Sequence, residues 1–99
     1  MMKFKLNYSE EAKGQFLELE MSKDKVKQYK AVAKTLGLMQ VNLRHPSLRT
    51  HKFDAVESPF GEEVFESYAQ NKTPGAYRIF WCYGPERNDL YIIAITPHP

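Results

Sequence analysis

The sequence contains one run, Ala76-Tyr77-Arg78-Ile79-Phe80-Trp81-Cys82-Tyr83, that is typical of a strand inside a β-sheet. The run is rich in aromatic and β-branched residues, and turn-forming residues flank it at 71–75 and 84–89. Because side chains alternate across a strand, one set is expected to face the core and the other to face away. The predicted core set is Tyr77, Ile79, Trp81 and Tyr83, and the predicted opposite set is Arg78, Phe80 and Cys82.

Three more strands are predicted around this run. Residues 64–69 and 90–96 are strand-like, and their short connections to the central run predict hairpins and therefore an antiparallel meander. Residues 3–8 alternate polar and apolar side chains, which predicts a strand at the N-terminal end.

Two helices are predicted between the first strand and the meander. Ser9 followed by Glu10 and Glu11 is a start signal, because serine caps the first turn and acidic groups there suit the helix dipole. Ser22 and Asp24 offer a second start. The second helix should bury an apolar stripe and end before His45-Pro46; the stripe comprises Val26, Tyr29, Val32, Leu36, Met39 and Leu43.

These elements predict an α+β fold in which two N-terminal helices pack on one face of a small antiparallel β-sheet. The 99 residues are 42% hydrophobic and 26% charged, which suits one domain covering residues 1–99. Cys82 is the sole cysteine, so an internal disulfide and a cysteine-rich zinc site are excluded and a reducing compartment is favoured. No apolar run approaches the roughly 18 to 20 residues that span a bilayer. A cytoplasmic protein with no membrane partner is expected.

Charge is unevenly distributed although the net charge is only +2. Residues 1–55 contain eleven Lys and Arg against six Asp and Glu, whereas residues 56–99 contain three against six. Lys23, Lys27, Lys30 and Lys34 recur at helical spacing and share one face of the predicted second helix. This face is either the solvated back of the helix or a surface for phosphate or an acidic partner.

Arg78 carries the clearest chemical implication. A guanidinium in the middle of a sheet among apolar neighbours is costly unless it meets an anion, so a carboxylate or a phosphate is expected beside it. The predicted hairpin brings Glu66 to the same face, either as a purely structural ion pair or as part of a site. Strand alternation predicts that the His98 side chain lies on the same face, although a terminal histidine is more often a surface group.

The segment His45-Pro46-Ser47-Leu48-Arg49-Thr50-His51-Lys52 concentrates cationic and imidazole groups just before the sheet. Arg49, His51 and Lys52 suit RNA phosphates, and a histidine can stack on a base, but an ordinary exposed connector has the same composition. Even with Asp54 nearby, the two histidines lack the spacing of metal ligands, so no metal is expected.

Three C-terminal features occur together: Pro74-Gly75-Ala76-Tyr77-Arg78-Ile79-Phe80-Trp81-Cys82-Tyr83, then Leu90-Tyr91-Ile92-Ile93-Ala94-Ile95, then His98. This combination resembles the C-terminal half of RelE/ParE superfamily toxins. Residues 46–52 and 64–68 fall where that family has its helix exit and its second strand. The resemblance extends over nearly the whole chain in the order of elements.

The resemblance implies the toxin of a bacterial toxin–antitoxin system and, in the RelE-like branch, a ribosome-dependent endoribonuclease that cuts mRNA in the decoding site. The RNA's own 2′-OH would be the nucleophile, so neither a metal nor a cofactor nor a covalent residue is implied. The implied partners are a cognate antitoxin protein and mRNA on the ribosome.

The resemblance also implies residue roles. Arg78 matches the family's strand arginine and would stabilise the pentacovalent phosphate, while His98 would act as general acid or base. Some members have lysines on the second strand, where this chain has Glu66 and Tyr68. Glu66 is therefore either the base or only the partner that neutralises Arg78.

The remaining implied contacts are with RNA. Arg49, His51 and Lys52 would hold phosphate, and Tyr68 or Phe80 would stack on a base. Two alternatives stay open: a non-enzymatic ParE-like gyrase inhibitor, and a degenerate toxin that acts as a protein-interaction module. His98 and the His51/Lys52 cluster favour the nuclease over the gyrase inhibitor, whereas the weak overall charge argues the other way.

Overall fold

The computed structural model describes residues 3–98, which form two α-helices and a five-stranded sheet. In chain order the elements are β1 Lys5–Tyr8, α1 Glu10–Met21, α2 Val26–Val41, a 3₁₀ turn Pro46–Leu48, β2 His51–Lys52, β3 Phe65–Tyr68, β4 Tyr77–Tyr83 and β5 Asp89–Pro97. The strand order in the sheet is β1-β5-β4-β3-β2. Neither helix in this part of the chain is long and apolar enough to cross a membrane.

The predicted α+β class and the meander β3-β4-β5 are confirmed, but the sheet is mixed rather than wholly antiparallel. β1 runs parallel to β5, with Lys5 opposite Asp89 and Tyr8 opposite Ile92. The alternation of residues 3–8 predicts a strand, but it carries no information on which neighbour the strand pairs with. β2, a two-residue edge strand beside β3, was not predicted.

Ser9 begins α1 as predicted. Its Oγ accepts the N–H of Ala12 at 2.9 Å and donates to the carbonyl of Ile93 at 2.7 Å. One hydroxyl therefore caps the helix and also ties its start to β5.

We expect Ser9→Ala to lower the free energy of unfolding by about 1 to 2 kcal/mol, because the helix loses its cap and the Ile93 carbonyl loses a donor. In a domain of this size, each 1 kcal/mol lowers the melting temperature by roughly 4 to 8 °C, which thermal unfolding detects. Ser22→Ala is the matched control, since the Ser22 hydroxyl donates to the exposed Asp24. Equal losses in the two variants would contradict the capping role.

α2 is confirmed, although both ends differ from the prediction. Ser22 closes α1 rather than starting α2, which begins at Val26. The helix ends at Val41, one turn before His45-Pro46. Within the predicted stripe, Val32, Leu36 and Met39 are buried, Tyr29 and Leu43 are half-buried, and Val26 is 50% exposed. The predicted stripe therefore begins one turn too early, at Val26, which is not part of the buried face.

The helices cover one face of the sheet, where Tyr77, Ile79 and Trp81 of β4 join the core as predicted. Tyr83 was predicted to join them, but it is 43% exposed because α2 stops at Val41, short of this end of the strand.

The loop at residues 53–64 covers part of the opposite face of the sheet. The Phe53 and Phe80 rings lie 4.8 Å apart, and the Phe60 and Tyr91 rings 5.1 Å apart. Cys82 is buried under this loop. The uncovered part of this face lies around Arg78.

Candidate active site

Three adjacent strands bring four predicted residues together on the face away from the helices. The register of β2, β3 and β4 sets His51 opposite Glu66 and Tyr68 opposite Arg78. Directly opposed residues in antiparallel strands share a face, so the pairing itself builds the group. We call His51, Glu66, Tyr68 and Arg78 the Arg78 cluster.

Glu66 is the centre of the Arg78 cluster. Its Oε2 accepts from Nη1 of Arg78 at 2.9 Å, and its Oε1 lies 2.6 Å from Nε2 of His51. Glu66 is only 4% exposed, whereas the His51 side chain is 47% exposed. A buried carboxylate held by two basic groups keeps both of them in place, and solvent reaches the cluster through His51.

His51 and Glu66 are in hydrogen-bond contact. The Nδ1 atom of His51 is 2.9 Å from the Arg49 carbonyl, which can only accept, so Nδ1 carries a hydrogen. Nε2 then faces a carboxyl oxygen at 2.6 Å, and the contact is favourable only if a hydrogen sits on one of the two atoms. One hydrogen bond therefore joins the two side chains.

Tyr68 holds Arg78 from one side. The guanidinium carbon lies 4.0 Å from the centre of the Tyr68 ring, and the His51 ring meets the same ring edge-on at 5.8 Å. Nε of Arg78 is buried and has no hydrogen-bond partner among residues 3–98. A buried N–H without an acceptor is costly, and an anionic oxygen beside Arg78 would satisfy it.

His98 lies on the same face by register. Arg78 pairs with Thr96, and the His98 N–H donates to the Ala76 carbonyl at 2.8 Å, so β5 pairing continues to the last described residue. Phe80 was predicted as an alternative stacking residue, but its ring packs against Phe53 under the covering loop.

Arg49 and Lys52 were predicted to hold RNA phosphate, and the structure places both of them outside the Arg78 cluster. Lys52 pairs with Phe65, whose ring packs on the core side, and Nζ of Lys52 lies 3.3 Å from a Glu63 carboxylate oxygen. Arg49 has a left-handed backbone (φ 48°) at the end of the 3₁₀ turn and lines a groove on the helix side.

No pattern in the sequence predicts the chain of hydrogen bonds that lies next to the Arg78 cluster on the core side of the sheet. Nε1 of Trp81 donates to Oγ of Ser67 at 2.8 Å, and Oγ of Ser67 is 2.7 Å from Oγ1 of Thr50. These bonds tie β3 to β4 and to the segment that leads into β2. Strand alternation places Ser67 on the core side, but it does not identify a buried hydroxyl's partners.

No cluster of three or more His, Cys, Asp or Glu side chains within residues 3–98 has the arrangement of a metal site. The sequence matches no protein-family model and no curated protein.

The fold has solved relatives. A YoeB/ParE toxin from Agrobacterium tumefaciens aligns with a TM-score of 0.67 at 6% identity, over 96% of this chain and 99% of that one. The RelE–RelB complex from Pyrococcus horikoshii aligns with a TM-score of 0.65 at 8% identity, over 97% and 96%. The YoeB dimer from Staphylococcus aureus aligns with a TM-score of 0.61 at 13% identity, over 98% and 99%. The chain has the RelE/ParE toxin fold.

Cys82 shares the outer face of this RelE-like sheet with Arg78 but is chemically separate from it. Burial raises the pKa of the Cys82 thiol, and the Ser58 hydroxyl, 3.5 Å from Sγ, only partly offsets this rise. The neutral thiol is therefore favoured, and thiolate chemistry is suppressed.

We expect Cys82 in the folded protein to react with a thiol reagent at pH 8 at least about 100-fold more slowly than in the chain unfolded in urea. The raised pKa lowers the thiolate fraction, and the covering loop blocks access. Because Cys82 is the sole cysteine, the reagent's colour change reports on it alone. Equal rates in the two states would show that the loop opens freely.

Proposed function

We propose that the protein is the toxin of a toxin–antitoxin system and that it cleaves mRNA on the ribosome in the cytoplasm. The RelE/ParE fold supports the toxin class, and the Arg78 cluster supports the nuclease activity. The single observation that carries the proposal is the Arg78 guanidinium, which is fixed by Glu66 and Tyr68 on the uncovered face with a buried Nε–H that lacks an acceptor.

The proposed reaction uses the RNA's own 2′-OH. The 2′-oxygen attacks the adjacent phosphorus, the bond from phosphorus to the 5′-oxygen breaks, and the products are a 2′,3′-cyclic phosphate and a 5′-OH end. One group must take the proton from the 2′-OH, another must give a proton to the leaving oxygen, and a cation must stabilise the charge on the phosphate.

Arg78 supplies the cation in this proposal, through the guanidinium N–H groups that Glu66 does not occupy. Glu66 is too buried to meet the 2′-OH directly, so in this proposal it orients the exposed His51 through Nε2. Nδ1 of His51 then releases the Arg49 carbonyl and takes the proton from the 2′-OH. His98, on the same face, is the second acid–base group. The Tyr68 ring lies against the guanidinium and also contacts the His51 ring edge-on.

A cognate antitoxin is the proposed protein partner, because one of the structural relatives is a RelE–RelB complex. Leu17 and Met21 lie one turn apart on α1 and are 56% and 74% exposed. Large exposed apolar side chains on one helix face suit contact with a partner protein.

A non-cleaving interaction module is the second candidate. The observation that favours it is the saturation of Glu66, whose two oxygens both contact basic groups of the protein itself. In that case the Arg78 cluster is a structural ion-pair network, and the protein acts by binding another protein.

The test is cleavage of a ribosome-bound message by the purified full-length protein. The proposal expects 2′,3′-cyclic phosphate ends, and a single 2′-deoxynucleotide at the mapped site should abolish the cut there. Intact messages would reject the nuclease; a change in DNA supercoiling would then identify gyrase as the target, and no change in either would favour the interaction module.

A further inference from the structure

A groove at the end of α2, on the helix side of the sheet, takes no part in the proposed reaction. Its volume of about 660 Å³ lies within the range of ligand-binding clefts. We call it the α2-end groove. Its lining includes the aromatic residues Phe4, Phe65 and Tyr83 and the basic residues Arg44, His45 and Arg49.

The aromatic side of the α2-end groove is a rigid stacking surface. Phe65 stacks on Trp81 with ring centres 4.9 Å apart and an angle of 28° between the rings. Tyr83 stands edge-on to both rings, at 5.9 Å and 5.2 Å, and is 43% exposed. Tyr83 is the exposed ring of the three, and an exposed aromatic ring held in this way is a surface on which a base of single-stranded nucleic acid stacks.

The basic side of the α2-end groove has no counter-ion. Within residues 3–98, Arg44 and Arg49 form no ion pair, and the described lining contains no carboxylate. Nδ1 of His45 accepts the N–H of Ser47 at 3.1 Å, which leaves its Nε2–H as a donor. The groove therefore suits an anionic ligand.

The α2-end groove adjoins the Arg78 cluster around the edge strand β2. Arg49 lines the groove, and its carbonyl holds Nδ1 of His51 at 2.9 Å. Thr50 also lines the groove and contacts Ser67 next to Glu66. A single strand that reaches His51 can therefore continue past β2 into the groove.

We propose that the α2-end groove binds a nucleotide of the RNA substrate that flanks the cleaved bond, with its base on Tyr83 and its phosphate at Arg44 and Arg49. The combination of stacking rings and unpaired cations favours RNA over an acidic peptide. This inference rests on the proposed function, to which it adds a substrate subsite.

The probe is a single-stranded 2′-O-methyl RNA of about six nucleotides, which lacks the nucleophile and so reports binding without cleavage. Trp81, the sole tryptophan, stacks on Phe65 of the groove and reports binding by fluorescence.

Tyr83→Ala should weaken binding about tenfold through lost stacking. Arg44→Ala should weaken it about threefold and make the salt dependence shallower by about 0.7 per lost phosphate contact. Arg87→Ala, on the exposed β4–β5 turn, removes the same charge elsewhere and should bind like the unaltered protein.

Equal RNA binding by all three variants would overturn the inference, and so would displacement of the RNA by an acidic peptide that binds the groove more tightly. These outcomes leave the proposed function intact, because message cleavage tests it separately. Conversely, groove-dependent RNA binding by a protein that cuts no message would reject both the nuclease and the role of the groove as a substrate subsite, and would leave the groove as an RNA-binding surface.

Discussion

Changing Arg78 to Ala is expected to lower the rate of message cleavage by about 100- to 1,000-fold. The variant loses the cation that, in the proposed reaction, contacts the phosphate as its charge develops in the transition state. Glu66 and Tyr68 hold the guanidinium before any substrate arrives, so little reorganisation is needed when the reaction occurs. The measurement is the single-turnover cleavage rate on a programmed ribosome, read by mapping the new RNA ends.

Two further variants sharpen this test. Arg87→Ala makes the same charge change on an exposed turn and should leave the rate unchanged. Arg78→Lys keeps the charge but lacks the planar fork and the Nε–H, so it should restore little of the lost rate. Cleavage by Arg78→Ala at the unaltered rate would remove Arg78 from the reaction. Full rescue by the lysine would mean that the charge alone matters.

The sequence was informative about Arg78 because strand alternation is a local property. Turn residues on both sides fix β4, and the parity of the strand then sets Arg78 apart from the core residues Ile79 and Trp81. The same alternation places Glu66 on the Arg78 face, once the hairpin is recognised. Short-range patterns therefore sufficed for the central ion pair.

The other members of the site depend on contacts that no local pattern encodes. β2 is only two residues long, too short to show a period, yet it brings His51 to Glu66. Because side chains alternate along β2, Lys52 lies on the opposite face of the sheet from His51, and there it pairs with Glu63. The burial of Cys82 depends on an irregular loop that folds back over the sheet. The positions of His51, Lys52 and Cys82 follow from tertiary packing, which the local sequence around each residue does not reveal.

Glu66→Leu is expected to lower the free energy of unfolding by about 3 kcal/mol. The substitution leaves the largely buried Arg78 guanidinium without its carboxylate, and an uncompensated charge in such a position is strongly unfavourable. For a domain of this size the loss corresponds to a fall in melting temperature of roughly 15 °C, and urea unfolding measures it directly. Glu63→Leu is the matched control, because its carboxylate pairs with the exposed Lys52 and should contribute less than about 1 kcal/mol.

The double variant Glu66→Leu/Arg78→Leu separates stability from function in the Arg78 cluster. Removing both charges abolishes the penalty of a lone buried ion, so the double variant should be about 2 kcal/mol more stable than Glu66→Leu alone. It should nevertheless be as inactive in message cleavage as Arg78→Ala, because the phosphate-binding cation is gone. A double variant less stable than the single one would show that Arg78 stabilises the fold through Tyr68 rather than through Glu66. If the two leucines restored stability and cleavage together, the ion pair would be structural only, and the cleaving groups would lie outside the Arg78 cluster.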